Sequence, residues 1–185
     1  MTPRTVRLVR HGRAEAGWGA AVDPDLDDVG AEQAVAVARH LAGLGVARVV
    51  SSPLLRCRST ARPFADLAGM SVAIADEVAE IPSPEGVGMA DRVAWLRGAM
   101  NGSWTDLGPR YTTYRDRIVD YVATREVDTV IFSHFVAINA VIGACLGDDR
   151  LVIHRLDNCS ITTVRVDGDG LALLEGGREA DTLIR

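Results

Sequence analysis

The sequence predicts an α/β protein, a three-layer α/β/α sandwich built around a mostly parallel mixed sheet. Short apolar runs rich in β-branched residues alternate with longer segments of helical apolar spacing, the pattern of parallel strands joined by crossover helices. The last two strand-like runs have no helix between them. They flank Asp167-Gly168-Asp169-Gly170, a hairpin signal that adds an antiparallel component at one end. At 185 residues and 19.8 kDa, with no internal repeat, charged tail or low-complexity linker, residues 1–185 read as one domain.

The elements follow in order. Val6 to Val9 form a buried strand that stops at Arg10-His11-Gly12. Gly12 to Asp28 is rich in Gly, Pro and Asp and reads as loop. Asp27 or Asp28 caps a helix from about Val29 to Leu44, with Ala31, Ala34, Val35, Ala38 and Leu41 at helical spacing. Ala47 to Ser51 is a second strand. Pro53 then opens a helix carrying Arg56, Cys57, Thr60 and Phe64, in which Pro63 marks a bend or a restart. Val72 to Ile74 is a third short strand. A Pro- and Gly-bearing stretch, Ile81 to Gly88, precedes helices at about Asp91 to Met100 and Pro109 to Arg125; residues 81–108 read as a small lid insertion. Val127 to Ser133 is a strand ending at His134, followed by a helix from about Val136 to Leu146. Strands at about Ser160 to Val166 and Leu171 to Glu175 close the chain.

Composition excludes several function classes. All 20 basic residues are arginine, so a Schiff-base enzyme, a Ser-Lys dyad and a Walker A loop are ruled out. A net charge of −5 and a pI near 5.3 argue against a general nucleic-acid or anionic-membrane surface, so phosphate recognition must come from a local arginine cluster. No apolar stretch approaches the ~20 residues of a membrane span. The short approach to the first strand leaves no room for a signal peptide, and the cytoplasm is the expected compartment. Cys57, Cys145 and Cys159 are odd in number and widely spaced, as reduced thiols are.

Ligands of open α/β sheets bind outside the carboxyl ends of the strands. Three predicted strands end there in reactive or phosphate-binding groups: Arg10-His11-Gly12, Ser51-Ser52-Pro53 followed by Arg56, and Ser133-His134. Two of the four histidines thus converge on one sheet edge. Arginine offers a planar fork of donors matched to phosphate oxygens. A neutral imidazole can attack phosphorus, a protonated one can stabilise the transferring group, and a carboxylic acid can protonate the departing oxygen. Such a set needs no metal and no cofactor. His40, near a helix end, and His154 read as surface or structural residues. The acidic run Asp23 to Asp28 lacks the Gly and Glu of a calcium loop. Gly17 and Gly19 lack a third glycine at dinucleotide spacing. Trp95, Leu96 and Met100 read as core or lid.

Taken together, these residues resemble the histidine phosphatase superfamily, the phosphoglycerate mutase-like or branch 1 two-histidine phosphatases. Val9-Arg10-His11-Gly12 matches the family's strand-end signature. Asp23-Pro24-Asp25-Leu26 with Gly30 and Gln33-Ala34 resembles its next motif, and Ser51-Ser52-Pro53-Leu54-Leu55-Arg56 with Thr60-Ala61 is similar to a third. Ser133-His134 and the hairpin from Asn158-Cys159-Ser160 complete a likeness covering nearly the whole chain. The resemblance implies a phosphoglycerate mutase-like fold, His11 as a nucleophile that becomes phosphorylated, and Arg10, Arg56 and His134 as phosphate-binding partners. It implies a proton donor in Val78-Ala79-Glu80-Ile81, Glu80, with Glu77 as rival. The substrate would be a small phosphorylated molecule, with no nucleic acid or membrane partner and a homodimer left open.

The chain departs from the family in places. Arg13-Ala14-Glu15-Ala16-Gly17 replaces the usual Thr and Asn contacts, Phe135 follows His134 where Gly is common, and Glu80-Ile81-Pro82-Ser83-Pro84-Glu85-Gly86 is a short, proline-stiffened acidic segment. Arg13 and Phe135 thereby become candidate substrate contacts. About 28 residues separate Glu80 from Pro109, a small lid that favours hydrolysis over mutase transfer. A mutase, a protein phosphohistidine phosphatase and a non-catalytic phosphate-binding module are the alternatives.

Overall fold

The computed structural model describes residues 2–17 and 20–180, so Gly19 and the two ends of the expected domain lie outside the described residues. Six strands form one sheet: β1 (Arg4–Arg10), β2 (Arg48–Ser51), β3 (Val72–Ile74), β4 (Thr129–Ser133), β5 (Ile161–Asp167) and β6 (Gly170–Glu175). Their order is β3-β2-β4-β1-β5-β6. The first four strands in that order run parallel, and β5 and β6 pair antiparallel at one side, as the hairpin signal required.

Helices α1 (Asp28–Leu41) and α2 (Leu55–Ala68) cover one face, and α5 (Pro109–Ala123) and α6 (Phe135–Leu146) the other. Strand alternation divides the core between them. Val9, Val49, Val130 and Phe132 pack with Val37 and Leu41 of α1 and with Ala61 and Phe64 of α2. Their neighbours Leu8, Val50 and Ile131 cluster instead with Ile118 and Val122 of α5 and Ile138 and Ile142 of α6. Between β3 and α5 lie a single 3₁₀ turn (Asp76–Val78), α3 (Met89–Ala99) and α4 (Trp104–Leu107).

Differences from the sequence expectation have local causes. Helix α1 stops at Leu41 rather than Leu44, because Ala42 is extended and Gly43 takes φ +84°. Pro63 does not break α2: it forfeits one helical hydrogen bond, while Thr60, Ala61, Phe64 and Ala65 keep that face buried. The 3₁₀ turn and α4 are too short to show periodicity. Helix α4 is held by a capping box between Ser103 and Asp106.

One close approach fixes the loop after β1. A Cβ at Gly30, in the first turn of α1, would fall 2.0 Å from the Arg13 carbonyl oxygen, and one at Gly12 would fall 2.7 Å from the Gly30 carbonyl oxygen. Both partners are backbone and cannot swing aside. Gly30→Ala is therefore expected to destabilise the protein by about 1–3 kcal/mol, the usual cost of overpacking. Urea unfolding monitored by circular dichroism checks this, and Gly98→Ala, where a Cβ meets nothing within 4 Å, is the control.

Candidate active site

Register brings the two histidines together. Arg10 pairs with Ser133 across the β1–β4 ladder, so His11 and His134 both lie one residue past adjacent strand ends. The His11 amide donates to the Ser133 carbonyl (3.0 Å), and the Ser52 amide to the Phe132 carbonyl (2.9 Å), which extends the same alignment to β2. The imidazole centroids are 5.3 Å apart.

Beyond these strand ends lies a cavity of about 390 Å³, lined among others by Arg10, His11, Arg56, Glu80 and Phe135. His11 Nδ1 lies 2.7 Å from the Gly12 carbonyl oxygen, which can only accept, so Nδ1 carries the proton and Nε2 keeps its lone pair. Burial, joined by the positive surroundings of His134, Arg56 and Arg10, pushes the His11 pKa well below the ordinary imidazole value. The ring is thus held neutral at neutral pH, with the Nε2 lone pair free.

Arg10 donates to the Leu156 carbonyl (2.6 Å) and stacks over Phe135, 5.2 Å from the ring centroid, while its buried Nε has no hydrogen-bond partner. An unpaired buried guanidinium nitrogen costs free energy that an oxyanion would recover. Arg56, 4% exposed, is carried on the first turn of α2; it lies 3.5 Å from Glu80 and 4.0 Å from Asp23. Thr60 ties the two arginine-bearing segments together, accepting from the Gly12 amide (2.9 Å) and donating to the Arg56 carbonyl (2.6 Å). Asn158 donates to the His11 carbonyl (3.0 Å).

Glu80 is positioned from outside the sheet. Tyr114 of α5 donates to the Ala79 carbonyl (2.8 Å), and Glu80 Oε1 accepts from the Ile81 amide (3.2 Å). Oε2 is thereby turned towards Arg56 and towards His134 Nδ1 (3.3 Å). Burial alone would raise this carboxyl; the combined pull of His134, Arg56 and His11 wins and holds it at about 2. His134 is fully buried and does not line the cavity; it meets the pocket through its contacts with Arg56 and Glu80. Burial lowers its pKa, against the opposing attraction of Glu80.

The five residues expected to do the chemistry, Arg10, His11, Arg56, Glu80 and His134, thus converge. Arg13 and Phe135 also line the cavity, Arg13 paired with Asp27 at 2.6 Å. Glu77 lines a separate recess with Arg110 and Arg117, away from these groups. His40 is exposed at the end of α1, and His154 sits 3.6 Å from Glu179. Donor atoms of His11, Glu80 and His134 come within 4.8 Å of one another, a spacing that a metal ion can use. Two guanidinium groups border that space, and they favour an anion there. Sequence reasoning gave no role to Ser52, Cys57, Thr60 or Asn158; their only signal was membership of the same short motifs.

The shifted groups have a consequence for stability. Glu80 has a depressed pKa in the folded protein, so its contribution is present above about 4.5 and is lost as pH falls towards about 2. His11 and His134 are held neutral by the fold, so stability also falls as pH drops below about 6.5 towards their lowered values. Both effects carry the same sign. The Tm is expected to decrease steadily from pH 7 to pH 4, and Glu80→Gln removes the part of that slope below pH 4.5.

A family model described as histidine phosphatase superfamily (branch 1) matches residues 6–177. A probable phosphoglycerate mutase from Yersinia pestis is 28% identical over 186 residues, covering 86% of this chain and 83% of its own. Among solved structures, a mycobacterial glucosyl-3-phosphoglycerate phosphatase superposes with a TM-score of 0.75 at 21% identity, covering 96% of this chain and 100% of that one. A phosphoserine phosphatase from Entamoeba histolytica, in complex with 3-phosphoglyceric acid, gives 0.76 at 21% identity, covering 96% and 98%. At such identities the superpositions establish the fold.

Proposed function

The chain belongs to branch 1 of the histidine phosphatase superfamily, and from that premise we propose that it hydrolyses phosphate monoesters of small metabolites through a phosphohistidine on His11. The observation that carries the reading is the neutral, Nδ1-anchored imidazole of His11 facing a cavity bordered by two buried guanidinium groups. His11 Nε2 attacks phosphorus, Arg10 and Arg56 hold the phosphoryl oxygens, and Glu80 delivers a proton to the departing alcohol. Water then attacks the phosphohistidine, and the same acidic group takes the proton back.

The rim supports an ester whose alcohol carries no second anion. Beyond the phosphate-binding pair, the described cation lining the cavity is Arg13, and Asp27 already pairs with it; Glu15 adds negative charge, and Asp157 is paired with Arg178. A carboxylate-bearing alcohol finds no uncommitted cation among these residues. The mutase reading draws on the name of the Yersinia relative. It predicts rapid exchange between 3- and 2-phosphoglycerate, whereas the hydrolase reading predicts release of phosphate with no isomer exchange.

Brief reaction with a ³²P-labelled sugar monophosphate in EDTA, followed by alkaline quenching, is expected to leave acid-labile label on the protein. Tryptic mapping should place it in the peptide containing His11. Label that survives acid, or turnover abolished by EDTA, overturns the proposal.

A further inference from the structure

The side of His134 that faces away from the cavity is as ordered as the side that faces it. Nε2 lies 2.7 Å from Ser52 Oγ and 3.4 Å from Cys57 Sγ, and all three side chains are fully buried. The Cys57 thiol donates to the Ser133 carbonyl oxygen at 3.4 Å, and that oxygen has no proton to give in return. The thiol proton is committed there, so the sulfur presents lone pairs to Nε2. Ser52 Oγ accepts the Leu54 amide at 3.3 Å. If Nε2 were unprotonated, its lone pair would face those of sulfur across 3.4 Å. On the other side of the ring Arg56 Nη2 lies 3.2 Å from Nδ1 and can only donate, so Nδ1 presents its lone pair. The ring proton falls on Nε2, where Ser52 Oγ accepts it, while Cys57 S–H goes to the Ser133 carbonyl. The thiol stays neutral, because burial raises its pKa strongly.

We propose that Ser52 and Cys57 are positioning residues that pin one proton on His134 Nε2, so that the exchangeable proton of this ring lies on Nδ1 and passes through Glu80 to the departing alcohol. The inference rests on the phosphatase reading above for its catalytic half. It also answers a problem that the site poses. Glu80 is ionised in the open pocket, and an ionised carboxylate has no proton to donate. Its Oε2 lies 3.3 Å from His134 Nδ1, the one polar atom of that ring on the pocket side. Charged or titratable groups facing His134 are Glu80, Arg56, Arg10, His11 and Cys57. A bound phosphoryl dianion adds negative charge to that set and favours the doubly protonated ring.

The step balances. The P–O bond to the alcohol breaks as the bond from His11 Nε2 to phosphorus forms. The proton on His134 Nδ1 passes to Glu80 Oε2 and from that oxygen to the alkoxide, leaving Glu80 ionised again and His134 neutral with its Nε2–H intact. In hydrolysis, water cleaves the P–N bond and returns its proton through Glu80 to Nδ1.

The test has one arm that needs no turnover. With ¹⁵N-histidine-labelled full-length protein, long-range ¹H–¹⁵N spectra at pH 8 should show His134 with a protonated Nε2 and an unprotonated Nδ1. Addition of vanadate or inorganic phosphate at pH 6 should then protonate Nδ1. A neutral His134 protonated on Nδ1 overturns the proposal whatever the enzyme does.

The kinetic arm compares Cys57→Ala with Cys57→Ser, which keeps a donor to the Ser133 carbonyl. Cys57→Ala is expected to lower kcat for an alkyl phosphate about 10-fold, with KM changed less than about 2-fold. Cys57→Ser should recover most of the loss, and Ser52→Ala should show the largest fall together with a mixed tautomer. Equal losses in both Cys57 variants with an unchanged tautomer overturn the positioning role. Absence of turnover in the wild type with the expected tautomer refutes the phosphatase reading and leaves the proton assignment standing.

Discussion

Replacing His11 with alanine is expected to reduce kcat for p-nitrophenyl phosphate by at least about 10⁴-fold, the scale on which removal of an attacking group is felt when the rest of a site survives. The surroundings favour a clean loss. The His11 ring is held by the Gly12 carbonyl, and its backbone by the Ser133 carbonyl and the Asn158 side-chain amide, neither of which involves the ring. Arg10, Arg56 and Thr60 therefore keep their places in the variant, so phosphate should still bind. The expected signature is a collapsed kcat with product inhibition by inorganic phosphate intact, measured in EDTA, and a circular dichroism spectrum like that of the wild type. The empty space left by the ring also makes rescue by added imidazole a sharper check. Activity within 10-fold of wild type would remove His11 from the mechanism.

The arrangement that makes this prediction possible was legible in the sequence to a specific depth. Strand-end positions of His11 and His134 could be read because β1 and β4 are short apolar runs that stop at polar residues, and a parallel ladder then puts those residues side by side. Arg56 followed from its place just inside a helix that begins after β2. The assignment of Glu80 over Glu77 was open in sequence, since both acids lie on one irregular segment. The 3₁₀ turn at Asp76–Val78 and the Tyr114 hydroxyl decide which of them faces the pocket, and both depend on contacts with α5.

Other features were beyond reach for the same reason. Whether Arg13 meets substrate turns on its pairing with Asp27, a contact formed only when the loop after β1 closes on α1. His134 was read as a phosphate ligand, and nothing in the residue pattern shows that the ring lies beneath Arg56 and Glu80 rather than on the cavity wall. Burial depth is set by packing across the sheet, and a strand-end residue can fall on either side of that boundary.

Glu80→Gln is expected to separate substrates by the quality of their leaving groups. An alkoxide needs its proton in the transition state, so loss of the donor should cost about 10²–10⁴-fold in kcat for an alkyl phosphate. Nitrophenolate leaves with little help, and for p-nitrophenyl phosphate the fall should stay below about 10-fold. The same substitution removes a negative charge 3.5 Å from Arg56 and 3.3 Å from His134 Nδ1, leaving the cationic groups unbalanced. Phosphate and phosphate esters should then bind more tightly, so KM and the inhibition constant for inorganic phosphate should drop as kcat drops. Glu77→Gln, which alters the separate recess beside Arg110 and Arg117, is expected to change none of these quantities. A uniform loss across leaving groups in Glu80→Gln would mean that the carboxylate organises the pocket without moving a proton. A leaving-group-dependent loss in Glu77→Gln would transfer the donor role to that residue.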